Sequence, residues 1–531
     1  MTSGRLMVAF VGRELPAEVA EAIAARPVAG VTLFAHHNVD SPGQVRALSA
    51  QLQAAHPAEL RPMLIATDQE GGQLNALGTQ TTQFAGAMAL GAAGDEDLAE
   101  RVARATAIEL RAVGVNVNYA PVCDLATNPA NPGLGIRSFG DDPQAVAGLA
   151  AATVRGLQAE GVAGTAKHFP GSGEAAADTH HELAVVAGDQ ARLEARELVP
   201  FRAAIEAGAK LMMAGHQALP ELTGDPNMPA SLAREAITDL LRDGLGFEGL
   251  SITDALDMRS LAQGAAQIVD VIVALRAGQD LLLGTADPEL IARMEQGVTQ
   301  AEKRGLLDRA ANKRSLERLA ETRQWLRGFE QPPIEVVGCA DHQAIAAELA
   351  ARSMTLVRDE AGLLPVRLGA NARVAVVHSR PADLTPADTS SFVAPTLAAA
   401  VGRRVANVDE LLTAEVPSSE EIAGIGHRLA DYDLVILGTF SAHLQAAQAD
   451  LARTVLAAKR PTVTVALRTP WDLTAYPDAA THVCSFGILP PSTEALAAAL
   501  FGETSFQGRL PVRLGDLYPR GHGLRGKALA A

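Results

Sequence analysis

The stretch Gly161-Val162-Ala163-Gly164-Thr165-Ala166-Lys167-His168-Phe169-Pro170-Gly171-Ser172-Gly173-Glu174-Ala175-Ala176-Ala177-Asp178-Thr179-His180-His181-Glu182 decides how the rest of the chain reads. Its first six residues are small or apolar, as in a buried strand. Pro170 lacks a backbone donor, and Gly171 and Gly173 permit sharp bends, so the strand ends near Lys167-His168 and a loop begins. That loop carries one cation, three imidazoles and three carboxylates. A solvated surface loop would account for this composition. So would an active-site loop anchored by a buried strand.

The flanking sequence favours the second reading. Short apolar runs recur at Leu6–Val11, Val31–Phe34, Met63–Thr67, Val115–Ala120, Val162–Ala166, Leu211–Ala214, Leu250–Thr253 and Asp280–Leu283. Between them lie segments with helical spacing, such as Pro16–Ala25, Pro42–Ala54, Glu96–Val113, Pro143–Glu160 and Asp189–Ala207. Eight strands alternating with helices predict a parallel (β/α)8 barrel of the TIM type. Chemistry should then gather after the strands. Asp68-Gln69-Glu70-Gly71-Gly72 follows the third, Pro121-Val122-Cys123-Asp124 the fourth, Lys167-His168 the fifth, Gly215-His216 the sixth and Asp254 the seventh.

Helices over Pro288–Glu302 and Asp308–Phe329 complete a barrel unit spanning 1–330, and Gln331-Pro332-Pro333 reads as a linker. From 334 to 531 the pattern restarts with Val374–Val377, Leu434–Leu437, Val463–Leu467 and His482–Phe486. Helical segments such as Glu421–Ala430 and Thr493–Leu500 alternate with them. This predicts a smaller C-terminal α/β domain, an αβα sandwich without a dinucleotide fingerprint or P-loop. The tail Arg520–Ala531 is expected to fray.

Composition narrows the class. A chain of 531 residues exceeds one core, and 48% hydrophobic with 20% charged residues describes a folded protein. The net charge of -16 argues against a nucleic-acid partner. No run is long enough to cross a bilayer, so no membrane partner and a cytoplasmic location are expected. Cys123, Cys339 and Cys484 are widely spaced and read as buried, inert thiols. Neither the His36-His37 nor the His180-His181 pair has metal-ligand spacing, so no metal and no cofactor are expected.

Several residues are chemical candidates. Asp254 directly follows a β-branched strand and could be a rigidly held nucleophile, or the N-cap of a helix beginning at Ala255. Asp178 could orient and polarise the His180 ring two residues on, or cap a turn beside a solvated histidine. Asp68 and Glu70 could form a carboxylate pair, with Gly71-Gly72 allowing a ligand close to the backbone. Arg137 could donate a forked hydrogen bond to substrate oxygens, or form a structural ion pair.

Taken together, Asp68–Gly72, Asn118–Asp124, Gly135–Gly140, Lys167–Gly171 and Ile252–Met258 resemble, in order and spacing, the motifs of glycoside hydrolase family 3. The chain is most similar to its bacterial β-N-acetylglucosaminidase branch, where Asp-Ser-His stands in place of Asp178-Thr179-His180. The resemblance is close over the first 330 residues and looser beyond. It implies a retaining hydrolase acting on terminal, non-reducing β-linked N-acetylglucosamine, with a small amino-sugar glycoside or muropeptide-type fragment as substrate. Asp254 then matches the nucleophile, His180 the acid/base and Asp178 its partner. Asp68, Arg137, Lys167 and His168 match residues that hold the sugar.

The chain departs from that branch at Ser172, where it usually has His, and at Glu174, where it usually has Asp. Gln73 and Ala76 stand where it has two arginines. Lost forked donors should reshape sugar recognition. A β-glucosidase or β-glycoside phosphorylase on the same fold, and a sugar-binding barrel without turnover, therefore stand as alternatives. The Gly-Ser-Gly at 171–173 and the three alanines after it suggest a mobile segment that brings His180 in with substrate.

Overall fold

The computed structural model describes residues 2–525 except Thr285 and Ala387. Each of the eight apolar runs forms a strand: β1 Leu6–Val8, β2 Gly30–Thr32, β3 Leu64–Thr67, β4 Val117–Asn118, β5 Ala163–Phe169, β6 Leu211–Ala214, β7 Leu250–Thr253 and β8 Leu282–Leu283. They pair in parallel in the order β8-β1-β2-β3-β4-β5-β6-β7. A bridge between Ile252 and Leu281 nearly closes the ring.

The strands are buried and mostly apolar because both faces are covered, with polar residues such as Asn118, Lys167 and Thr253 toward their C-terminal ends. Leu64 and Ala66 point into the barrel with Leu211, Met213, Leu250 and Ile252. Met63 and Ile65, which alternate with them in sequence, join the layer beneath the helices. Helix starts follow local chemistry. Ser41 and Asp142 accept bonds from the first free amides of their helices, and Pro42 and Pro143 supply the fixed φ of the first turn.

A buried carboxylate secures the barrel just before β8. Asp280 accepts bonds from Ser315 Oγ (2.6 Å), Arg318 Nη1 (3.1 Å), Ser251 N (2.9 Å) and Arg242. Its own carbonyl takes Arg5 Nε at 2.7 Å. One side chain thus joins β7, the approach to β8 and helix Arg309–Leu326.

The C-terminal domain is a six-stranded mixed sheet: β9 Thr355–Asp359, β10 Arg373–Ser379, β11 Asn407–Thr413, β12 Leu434–Thr439, β13 Thr462–Ala466 and β14 Thr481–Cys484. The order is β9-β14-β13-β12-β10-β11, with only β9 antiparallel to its neighbour. β9 and β11 are absent from the sequence reading because both are edge strands with partly exposed, polar residues.

The domain is bolted to the barrel. Buried Glu109 binds His342 Nδ1 (2.8 Å) and Gly338 N (3.0 Å), and Arg352 pairs with Asp95 at 2.7 Å. The expected fraying of the tail does not begin at 520. Arg520 pairs with Asp141 and Asp142, and Leu524 N bonds Leu356 O. Residues 526–531 of that expectation lie outside the described ones. Cys123 and Cys484 are buried as expected, whereas Cys339 is partly exposed. Among the described residues no helix is long and apolar enough to cross a membrane.

Replacing Asp280 by Ala takes the carboxylate from two arginines, Arg242 and Arg318. Asp280→Ala is expected to cost about 3–5 kcal/mol, read as a lowered denaturation midpoint with an unchanged m-value.

Candidate active site

Lys167, at the C-terminal end of β5, is almost wholly buried (2% side-chain exposure) and lies between two carboxylates. Its Nζ is 2.7 Å from Asp68 Oδ1 and 2.6 Å from Glu70 Oε1. Arg137, on the loop after β4, meets Glu70 with a two-pronged contact, both bonds at 2.9 Å. Burial alone would raise the Glu70 pKa, but Arg137 and Lys167 outweigh it and hold the group at about 2. The Lys167 ammonium, opposed by burial, is held above its ordinary value by Asp68 and Glu70. Asp68 and Glu70 are thus a pair only through their shared cations. Of the alternatives raised by sequence, Arg137 makes the structural ion pair, with its fork on Glu70, and it also lines the cavity.

That cavity, of about 450 Å³, is lined by Arg137, His168, Asp178, His180, Gln217 and Asp254, among others. His168 Nδ1 is 2.6 Å from Asp124 Oδ2, and Asp124 Oδ1 takes the Ser172 amide at 2.6 Å. Arg137 Nη2 reaches His168 Nε2 at 3.4 Å. Because a guanidinium only donates, this contact places the His168 proton on Nδ1. Asp178 binds His180 Nδ1 at 2.7 Å and its backbone amide at 2.9 Å through the same oxygen. The pairing comes from a side-chain turn, not from the extended segment that i, i+2 spacing suggests. Burial would raise the Asp178 pKa, yet the bonds to His180 keep it below the carboxylate range. The ionised Asp178 fixes Nδ1–H and leaves Nε2 to exchange protons.

Asp254 follows β7, and its Oδ1 accepts the Ala255 amide at 2.7 Å. No helix begins at Ala255. The next one is the short turn Gly264–Ala266, so the capping alternative is not realised. Against the upward push of burial, His168, His216 and His180 hold its carboxyl below the ordinary range. His216, fully buried after β6, bonds Ser231 Oγ (2.7 Å) and the Ala255 carbonyl (2.9 Å), which steadies the residue next to Asp254.

The loop after β5 is held in place. Asn131 Nδ2 reaches Ser172 O (3.0 Å) and Gly173 O (3.3 Å), and Asn128 Nδ2 reaches Glu174 O and Ala175 O (3.2 and 3.3 Å). Gly173 lies so close to the Leu125 carbonyl that a Cβ could not be accommodated. Glu174 pairs with Arg192 and Arg196. The expected mobile segment is therefore tethered, and His180 already faces the cavity. The C-terminal domain contributes to this order. His443 Nε2 bonds Pro129 O at 3.0 Å while its Nδ1 sits on buried Asp472 at 3.0 Å.

Asp124, Asn128, Asn131, His216 and Gln217 escaped assignment in the sequence. Asp124 stood in a recognised motif, but its role needs the fold to bring His168 and Ser172 to it. Gln73 points away from carbohydrate chemistry, with Nε2 3.3 Å from Asp388 and its carbonyl on Thr389 N at 2.8 Å. Among the described residues no group of three or more His, Cys, Asp or Glu is placed to hold a metal ion.

A parallel barrel whose mouth gathers an ionised carboxylate and a separate Asp–His pair has the form of an enzyme active site. The model for the glycosyl hydrolase family 3 N terminal domain matches residues 5–321, and the chain belongs to that family. It is 33% identical over 392 residues to Beta-hexosaminidase A of Pseudoalteromonas piscicida, a match covering 68% of this chain and 64% of that relative. It is 30% identical to the Beta-N-acetylglucosaminidase/beta-glucosidase of Cellulomonas fimi, across 85% of this chain and 83% of that one. A solved family 3 β-N-acetylglucosaminidase from Paenibacillus sp. str. FPU-7 superposes with a TM-score of 0.91 at 31% identity. That superposition covers 97% of this chain and 98% of the other.

Two outcomes follow from this geometry. A carboxyl lowered by folding from its unfolded value of 4.5 to about 2 contributes stability above pH 4.5, which is lost as pH falls through 4.5 toward 2. The contribution is about 3 kcal/mol at most. Acid titration of stability should thus be shallower in Glu70→Gln than in the parent. Separately, His443→Ala should raise amide hydrogen exchange at Asn128–Leu134 and Gly171–His180 while sparing β5.

Proposed function

We propose that the chain is a retaining, exo-acting glycoside hydrolase that releases terminal, non-reducing β-linked N-acetylglucosamine in cell-wall or amino-sugar recycling. The observation that carries this is the Asp178–His180 pair lining the same cavity as the ionised Asp254. The names of the relatives support the sugar. In this reading residues 1–330 are the catalytic unit and 334–531 a second domain.

The reaction has two displacements. An Asp254 oxygen attacks the anomeric carbon as the glycosidic C–O bond breaks, and imidazolium His180 gives its Nε2 proton to the departing oxygen. Water then yields a proton to His180 Nε2 while its oxygen takes the anomeric carbon from Asp254. Asp178 stays ionised and stabilises the imidazolium. Asp68, Arg137, Lys167 and His168 hold the sugar hydroxyls. Five carboxylates (Asp68, Glu70, Asp124, Asp178 and Asp254) surround only two fixed cations, Lys167 and Arg137. That balance suits a transition state with positive charge on the ring. A histidine in the acid role avoids one more negative charge beside the nucleophile.

A second specificity, β-glucosidase, is favoured by Gln73 and Ala76 in place of forked donors and by the double name of the Cellulomonas fimi relative. Aryl glycosides differing only at the 2-substituent, each assayed with and without phosphate, separate hexosaminidase, glucosidase and phosphorylase readings. Asp254→Asn should lower aryl N-acetylglucosaminide turnover by at least about 10³-fold. His180→Ala should lose rate with poor leaving groups and keep most of it with good ones. Because Asp254 is held low, the acidic limb of kcat/KM for aryl glycosides with good leaving groups should fall below the ordinary carboxylate pKa. Equal turnover in Asp254→Asn and the parent would refute the assignment.

A further inference from the structure

The end of the barrel away from this site holds a second cavity, of about 1000 Å³, beside the N-terminal ends of β3 and β4. Arg61, Arg111 and Arg327 line it, and no Asp or Glu does, in a chain of net charge -16. Arg111 is 9% exposed; its Nη2 donates to Phe329 O at 2.8 Å, and its buried Nε has no partner among the described residues. The hydroxyl of Ser49, which also lines the cavity and is 2% exposed, has none either. Arg327 places Nε and Nη2 on the Arg61 carbonyl at 3.0 and 2.6 Å, which brings these two residues together. Arg61 spends only Nε and Nη2, on His56 O and Ala54 O. Behind them, burial and then the Arg327 charge push the Arg323 guanidinium down to about 10.

The backbone carbonyls absorb some of these donors but none of the charge. Arg327 is exposed and Arg61 half-buried, but Arg111 is a buried cation without a counter-charge in the cavity and with an unmade hydrogen bond, which is costly. Guanidinium forks and a hydroxyl match the oxygens of a tetrahedral dianion, which neutralises more charge than a carboxylate. The cavity is far larger than one such ion and has room for the rest of a small molecule.

We propose that this cavity binds the phosphate group of a small phosphorylated molecule. The site is independent of the reaction assigned above and lies on the opposite face of the barrel. The probes are inorganic phosphate and a hexose 6-phosphate, with chloride at matched ionic strength as control. Titration of the full chain should give saturable thermal stabilisation and calorimetric heat with phosphate but not with chloride. The tighter of the two phosphate probes distinguishes free phosphate from a phosphate ester as the source. Arg61→Gln should weaken binding about tenfold.

Ala50, an exposed helical residue on the cavity wall, offers a second variant that keeps every arginine. Ala50→Glu supplies the missing carboxylate in a good helix former. It should raise the ligand-free melting temperature, abolish the phosphate response and leave glycosidase activity unchanged. Phosphate binding that persists in Ala50→Glu, as binding at the catalytic mouth would, overturns the proposal. So does a chloride response equal to that of phosphate, or no response at all.

Discussion

An ammonium group buried between two carboxylates sets the terms for the mouth of this barrel. Lys167 cannot stay charged at 2% exposure unless Asp68 and Glu70 stay with it, and Glu70 cannot stay ionised without Arg137. Those four side chains come from the ends of three different parts of the ring: β3, the loop after β4, and β5. Their mutual compensation positions the loop of Arg137, and Arg137 in turn fixes the proton of His168. The rest of the mouth is arranged around that frame. His168 locates Asp124, Asp124 locates Ser172, and the chain then runs to Asp178 and His180.

The second domain serves the same frame from outside. Its His443, backed by Asp472, holds the loop whose asparagines hold the β5 loop. Its Asp388 holds the Gln73 side-chain amide and its Thr389 binds the Gln73 backbone carbonyl. Gln73, where the resemblance led one to expect an arginine, is thus an interdomain contact. The cavity beside the N-terminal ends of β3 and β4 shows the contrary balance, with three guanidinium groups and no carboxylate among the residues that line it.

Much of the fold was legible because burial imposes a pattern on composition. A strand covered on both faces is apolar over most of its length, so all eight barrel strands stood out. Caps such as Asp142-Pro143 announced their helices. The edge strands Thr355–Asp359 and Asn407–Thr413 did not stand out, since half-exposed strands carry polar residues and lack a continuous apolar run. At the site, residues next to strand ends were legible by position: Asp68, Lys167, His168 and Asp254. Asp178 and His180 were legible as a spacing, although a side-chain turn, not an extended segment, brings them together.

The sequence by itself determined the barrel and set a group of polar side chains after its strands, because strand burial and short-range spacing are local properties. It also pointed to a mobile loop at 171–177, on the strength of glycine and alanine. Only the tertiary structure decided that this loop is pinned, that Glu70 shares its cations with Asp68, and that Gln73 belongs to the domain interface. Those outcomes depend on partners between about 40 and 320 residues away in the chain, and no local pattern encodes which distant group will neutralise a buried charge or satisfy a buried carbonyl.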